Sequence, residues 1–413
     1  MKYFLAVIYT IIYQVVHVTY LVKYFGYMGY RAEVYETNSL IVTFCLILLP
    51  LRLFPKDRGY VEIVFSIIYL LLYIPIMVTL LYHYQSSTEI LTTQLYFFFG
   101  FIIIFLIPRH FKPKIVGLSD TGLDYRYLLL LGAIVLAILA YNYRNSFALV
   151  SFEDVYELRS NSQTDSSIIG YLVLWNTYFL APLIFIIGLV KRKKVFVYFG
   201  CVSIIAVYGM TGSKISLFIP MMIYGTSILI KRGKSIYKYY VYSLGGLMIA
   251  FLLIAEKFFI LSAVILMRTM GIGGLLTYQY NEFFKVHQNT YLSHVNIINM
   301  FTGGYPYKQP LGFVVSQYFI AGNNNANANF WATDGIAGFG LIGVPIMSVL
   351  FGLVLVMLNS IRDNENSKII NLLIIPFSFI TLNVSLFTSL VSGGLLFYII
   401  YMILFTKRGK RSI

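Results

Sequence analysis

The chain has 413 residues, of which 59% are hydrophobic and 11% charged, with a mean hydropathy of +0.78 and a formal net charge of +15. Soluble domains carry roughly 25% charged residues, so this chain is too apolar to fold around one aqueous core. A nucleic-acid reading of the charge would need a soluble basic domain, and none exists; a β-barrel is excluded because the apolar runs are continuous rather than alternating.

The first apolar run, MKYFLAVIYTIIYQVVHVTYLV, is too long for a signal peptide and is followed by no small-x-small cleavage site, so it reads as a retained first span. Further runs long enough to cross a bilayer as helices follow it. The full set lies near 3–24, 38–55, 61–83, 93–109, 126–143, 168–190, 195–211, 215–230, 237–256, 335–360, 369–387 and 389–406. The expected fold is an all-α polytopic membrane protein, a single integral membrane domain with about twelve transmembrane helices. Cys45 and Cys201 fall inside spans and read as small apolar fillers.

The links RLFPKDRG, PRHFKPK, KRKK, KRGK and IRDNENSK and the tail KRGKR alternate with links poor in Lys and Arg. With both termini in the cytoplasm, about 22 of the 31 Lys and Arg lie inside and about 9 outside, as the positive-inside rule requires. The net charge therefore records orientation. Two long segments then face outward, near 144–167 and 257–334. The second is too long for a simple connector. It alternates amphipathic stretches such as FFKVHQNTYLSHVNIINMF with turn clusters such as TGGYPYKQP and AGNNNANAN, a pattern suited to lying on or dipping into the outer membrane surface.

Positive-inside bias works against outward cations, so three of them need a reason: Arg159 in the first large loop, Arg268 in RTMGIGG, and Lys214 in MTGSK. Interfacial anchoring is one. Anion binding is the other, since arginine presents a planar fork of donors and glycine-rich turns add backbone N–H groups. Most of the 36 Tyr and 34 Phe belong to the interfacial belt and the packing. Near the outer loops, Tyr156, Tyr305, Tyr307 and Trp331 are placed to stack on sugar faces.

Arg159, ten residues and Gly170 make an RX10G pattern, and ANANFWATDGIAGFGLIGVPI leads from a polar passage into a late span. In these features, and in loop order, loop size and span number, most of the chain resembles the O-antigen polymerases, the Wzy family of oligosaccharide repeat unit polymerases. It departs from the pattern in the second loop, where Gln279 stands in the glycine's place relative to Arg268. The resemblance implies a bacterial inner-membrane glycosyltransferase with its active site facing the periplasm. A growing glycan on undecaprenyl pyrophosphate is transferred to the non-reducing sugar of a fresh lipid-linked repeat unit, and undecaprenyl pyrophosphate leaves. The implied partners are undecaprenyl-pyrophosphate-linked oligosaccharide and membrane lipids, with room for a chain-length regulator protein and none for nucleic acid. No cofactor is implied and no metal site; no outward Asp-x-Asp pair or HExxH arrangement is present.

That reaction would use Arg159, Arg268 and Lys214 against the charge of the leaving pyrophosphate. A base must take the proton of the acceptor hydroxyl. His287, His294, Glu282, Glu153, Asp154, Glu157, Asp165 and Asp334 are the outward candidates, with His294 and Asp334 first. Histidine has the better intrinsic pKa; an aspartate at a helix start is also a plain N-cap. Asn327 and Asn329 are placed to bind sugar hydroxyls or to shape the turn. A ligase onto lipid A core shares the architecture, but its H-N-x-x-L motif is missing. A polyprenyl-phosphate sugar transferase would use acidic residues such as Glu33 and Glu36 in the first outward loop. A flippase should show charged or broken spans at mid-membrane.

Overall fold

The computed structural model describes residues 1–55, 59–113, 125–145, 147–148, 167–212, 214–320, 325–361 and 366–405. Among these the chain is helical, without strands. In chain order the long helices are α1 Lys2–Met28, α2 Thr37–Leu53, α3 Tyr60–His83, α4 Ser87–His110, α5 Arg126–Asn142, α6 Ile168–Lys191, α7 Lys194–Thr211, α8 Lys214–Lys231, α9 Ile236–Leu253 and α10 Phe259–Val286. Two short helices follow, α11 Asn296–Thr302 and α12 Leu311–Phe319. Then come α13 Trp331–Ser360, α14 Ser367–Thr381, α15 Leu386–Leu390 and α16 Leu395–Phe405. Eight described helices are long and apolar enough to cross a membrane, and four shorter apolar ones accompany them. The protein is an all-α polytopic membrane protein. The apolar runs near 369–387 and 389–406 are not two full-length helices; they give α14, the short α15 and the 11-residue α16.

Burial follows sequence pattern. In α3, apolar all round, the whole spanning window is buried, as expected of a helix surrounded by others. By contrast α5 exposes Leu130, Leu131, Ile134 and Ile138, a surface suited to lipid. Small residues set the tightest contacts. A Cβ on Gly100 of α4 would fall 2.9 Å from Ser348 Oγ of α13, and one on Gly352 would fall 2.9 Å from Ile107. The two helices therefore run side by side in the same direction.

The bundle has two polar ends. At the amino-terminal end, the Lys2 ammonium donates to Leu51 O at 2.7 Å, Glu62 accepts from the Ile236 N–H at 2.9 Å, and the Tyr60 N–H donates to Asn371 at 3.0 Å. At the far end, His83 Nε2 lies 3.1 Å from Gly29 O and the Tyr84 hydroxyl donates to Glu282 at 2.8 Å. Helix α10 touches this far end twice. Phe259, at its start, stacks on Phe25 with ring centres 5.9 Å apart. Near its finish Lys285 bridges Glu89 and Glu282. Length and composition would let α10 cross a membrane, but both its ends meet the same end of the bundle.

Five described segments widen to π-helical turns: His17–Leu21, Tyr69–Tyr73, Asn176–Leu180, Ala263–Gly271 and Trp331–Ile336. Such turns hold one extra residue per hydrogen-bonded loop and often sit at functional sites. Two of them carry Arg268 and Asp334.

Candidate functional site

The segment between α10 and α11 folds back along the first turns of α13. The Thr290 N–H donates to Ala337 O at 2.7 Å and the Tyr291 N–H to Gly338 O at 3.2 Å. The Asn289 side-chain amide donates to Ile336 O at 3.0 Å. The chain then turns through two left-handed residues, Tyr291 (φ 48°) and Leu292 (φ 66°). Neither is glycine, so the turn stores backbone strain. Its effect is to aim His294 at α13.

There His294 Nε2 lies 3.1 Å from Asp334 Oδ1. Nδ1 lies 2.9 Å from Thr290 Oγ1, which is itself 3.1 Å from Ala337 O. Asp334 Oδ2 accepts the Leu386 N–H at the start of α15, a position where the helix end favours an anion. Asp334 is fully buried and only 6% of the His294 side chain is exposed. The Thr290 hydroxyl has one proton and two acceptors within reach. Pointed at Ala337, it leaves the imidazole to donate from Nδ1; pointed at Nδ1, it leaves Nε2–H to donate to the carboxylate. Thr290, His294 and Asp334 thus form a three-membered proton chain, with both ring nitrogens engaged. Tyr280 of α10 flanks Asp334 electrostatically, and its hydroxyl donates to Ala326 O at 3.0 Å.

The other residues singled out by sequence divide sharply. Asn329 is fully buried. Its amide donates to Thr277 Oγ1 at 2.7 Å, and its oxygen accepts the Trp331 and Ala332 N–H groups at 3.1 and 3.2 Å. It therefore works as the N-terminal cap of α13, with no group left over for a sugar. Trp331 is also fully buried; its indole N–H donates to Ser348 at 2.8 Å and its ring packs edge-on to Phe97, so no face is open for stacking. Asn327 is exposed beside Asn325, and the side-chain oxygens of both lie against Gly312 of α12. Half-exposed Tyr305 and Tyr307 pack ring to ring at 5.7 Å. Burial, then the Tyr307 neighbour, pushes the Tyr305 hydroxyl up to about 12, so it stays a donor, to Gln309 O at 2.8 Å. His287 is half-buried, stacked on Phe283 at 3.9 Å.

Arg268 is exposed on its π turn, with the Tyr30 phenol as electrostatic neighbour. It lies twelve residues before Tyr280, about 18 Å along α10 at 1.5 Å per residue. Gly170 is already inside α6, and a Cβ there would meet nothing within 4 Å. It is neither a turn nor a close approach. Arg159, Glu153, Asp154, Glu157 and Asp165 lie outside the described residues, as does the side chain of Lys214. Thr290, Thr277 and Tyr280 were missed by sequence reading. The only hint for Thr290 is a hydroxyl four residues before a histidine, a weak signal outside a helix.

Comparison of the chain with known protein families, with curated proteins and with solved structures gives no match.

Proposed function

We propose that the protein is a lipid-linked glycan polymerase of the bacterial inner membrane, with cytoplasmic termini and its site at the far end of the bundle, facing the periplasm. The observation that carries this reading is the meeting of His294 and Asp334. These are the two residues ranked first as proton acceptor, 40 positions apart, and they join in one hydrogen bond at that end. The Lys- and Arg-rich turns supply the orientation.

In the proposed reaction the acceptor hydroxyl of a fresh repeat unit attacks the anomeric carbon of the growing glycan. The new C–O bond forms as the bond to undecaprenyl pyrophosphate breaks. The hydroxyl proton passes to the His294–Asp334 chain, and Arg159 and Lys214 hold the departing pyrophosphate. Both ring nitrogens are engaged in the resting structure. Substrate must therefore displace the Thr290 hydroxyl or shift the 287–295 segment to free one. The chemistry uses the protein's own groups, and activity should survive chelation of divalent ions.

The test is the lipopolysaccharide ladder of a deletion strain. Loss of a polymerase leaves core plus a single repeat unit; core alone would point to a ligase or flippase and end this reading. Complementation with Arg159→Ala should insert normally yet restore almost no long polymer, a loss of about 10²–10³ in rate. A full ladder from that variant would remove Arg159 from the site.

A further inference from the structure

The turn joining α6 to α7 carries four successive cations, Lys191, Arg192, Lys193 and Lys194. Arg192 takes left-handed angles, φ 57° and ψ 35°, and the Lys193 N–H closes onto Gly188 O at 2.9 Å. Gly188 allows so tight a turn because any Cβ there would sit 2.6 Å from the Val197 nitrogen. The two helices touch at their ends, and all four cations are held exposed at the surface. Lys193 lies over the Phe196 ring, 5.6 Å from its centre.

Helix α5 packs beside this pair at Gly132, where a Cβ would fall 2.6 Å from Ile184 and 3.0 Å from Phe199. Six residues earlier, about 9 Å along the axis, α5 begins at Arg126. Around this end of α5 an open groove of about 620 Å³ remains, lined by Arg126, Leu129, Lys193, Lys194, Val195 and Phe196. Such a volume suits a small ligand, for which pockets run roughly 300–1,000 Å³. Three cations and three apolar side chains share the lining. The groove lies where apolar helices end, which is headgroup level in a bilayer, and its flank continues into the exposed Leu130 and Tyr198.

A free anion would use the cations and leave the apolar wall in water; a neutral lipid would use the wall and waste the charge. We propose that this groove binds one anionic phospholipid. Its phosphate lies against Lys193, Lys194 and Arg126, and an acyl chain runs along Leu129, Val195 and Phe196. Basic pockets between spans recognise anionic headgroups in this way. The site is independent of any glycan chemistry at the far end.

The full chain, purified from phosphatidylcholine nanodiscs doped with phosphatidylglycerol, should retain one phosphatidylglycerol in native mass spectrometry in preference to phosphatidylcholine. Lys193→Gln/Lys194→Gln should weaken that preference roughly tenfold or more, on the basis of the attraction expected per cation. Val195→Asn, on a side chain 67% exposed, should weaken retention several-fold with no change of charge. Lys231→Gln/Arg232→Gln, in the turn between α8 and α9, should leave it unchanged. Equal losses from the two double variants would show diffuse anchoring and overturn the proposal. Displacement of the lipid by millimolar inorganic phosphate would show a free-anion site and overturn it too.

Discussion

Two buried polar clusters flank α10, and they are built on opposite principles. Around Asp334, each polar side-chain atom of Thr290, His294 and Asp334 has a partner. Between α1, α3 and α10, the Tyr13, Tyr30 and Thr79 hydroxyls and His17 Nδ1 are buried without one. Tyr13 and Thr79 face each other, but neither completes a hydrogen bond. Both clusters contain a histidine and both adjoin a π turn. The first joins distant pieces of chain, at 290–294, 334 and 386, through directed bonds. The second is held by close backbone approach: Cβ atoms on Gly271 and Gly274 would fall 2.8 Å from the Tyr30 hydroxyl and 2.3 Å from Thr79 Oγ1. Directed hydrogen bonds tie the first cluster together, and the missing side chains of Gly271 and Gly274 let α10 close onto the second.

The largest effect should come from the bonded cluster. Asp334→Ala strands a buried imidazole and the Leu386 N–H together. Each buried hydrogen-bonding group left without its partner typically costs about 1–3 kcal/mol. The variant should melt many degrees lower in detergent, and α15 should lose protection in hydrogen exchange. A melting temperature within a degree or two of wild type would mean the pair contributes little to holding these elements.

Gly274→Ala attacks the other cluster through packing. Its Cβ would also meet the Pro75 carbonyl at 2.7 Å, and backbone cannot swing aside as a side chain does. Overpacking of this kind costs typically 1–3 kcal/mol. A lowered melting temperature, partly rescued by Thr79→Ala, is the expected result. Normal stability would show that α10 is free to move away from α3.

What was legible in the sequence follows from these differences. Long apolar runs announce their helices because a bilayer demands about 20 apolar residues whatever the fold. Asp334 and His294 were nominated for their chemistry and position. Their pairing was not legible, because it depends on left-handed angles at Tyr291 and Leu292, residues that sequence would never mark for such a turn. Trp331 and Asn329 looked like sugar contacts because they follow a polar loop. The π turn at Trp331–Ile336 and the cap at Asn329 bury both instead, and one extra residue in a helical turn leaves no trace in hydropathy. Gly170 closes the RX10G pattern, yet it lies inside α6, whose start the polar residues before it do not mark. The polar residues Gln279, Asn281 and Glu282 likewise hid α10, all of which falls in the segment near 257–334 read as outward-facing.

The smallest effect is the sharpest test of the comparison. Tyr13→Phe removes a hydroxyl that has no completed bond in a fully buried setting. A buried polar group without a partner costs stability, so deleting it while keeping the ring should be neutral or slightly stabilising. The same reasoning does not extend to His17, whose Nε2 lies 2.9 Å from Arg31 O. The Tyr13→Phe melting temperature should match or exceed that of wild type. A drop equivalent to more than about 1 kcal/mol, the usual worth of a made hydrogen bond, would mean that something bonds this hydroxyl in the membrane. An ordered water with two to four polar partners would do so, and Tyr13, Tyr30, Thr79 and His17 would be its natural cage. In that event both clusters would be satisfied, one by protein alone and the other by protein and solvent.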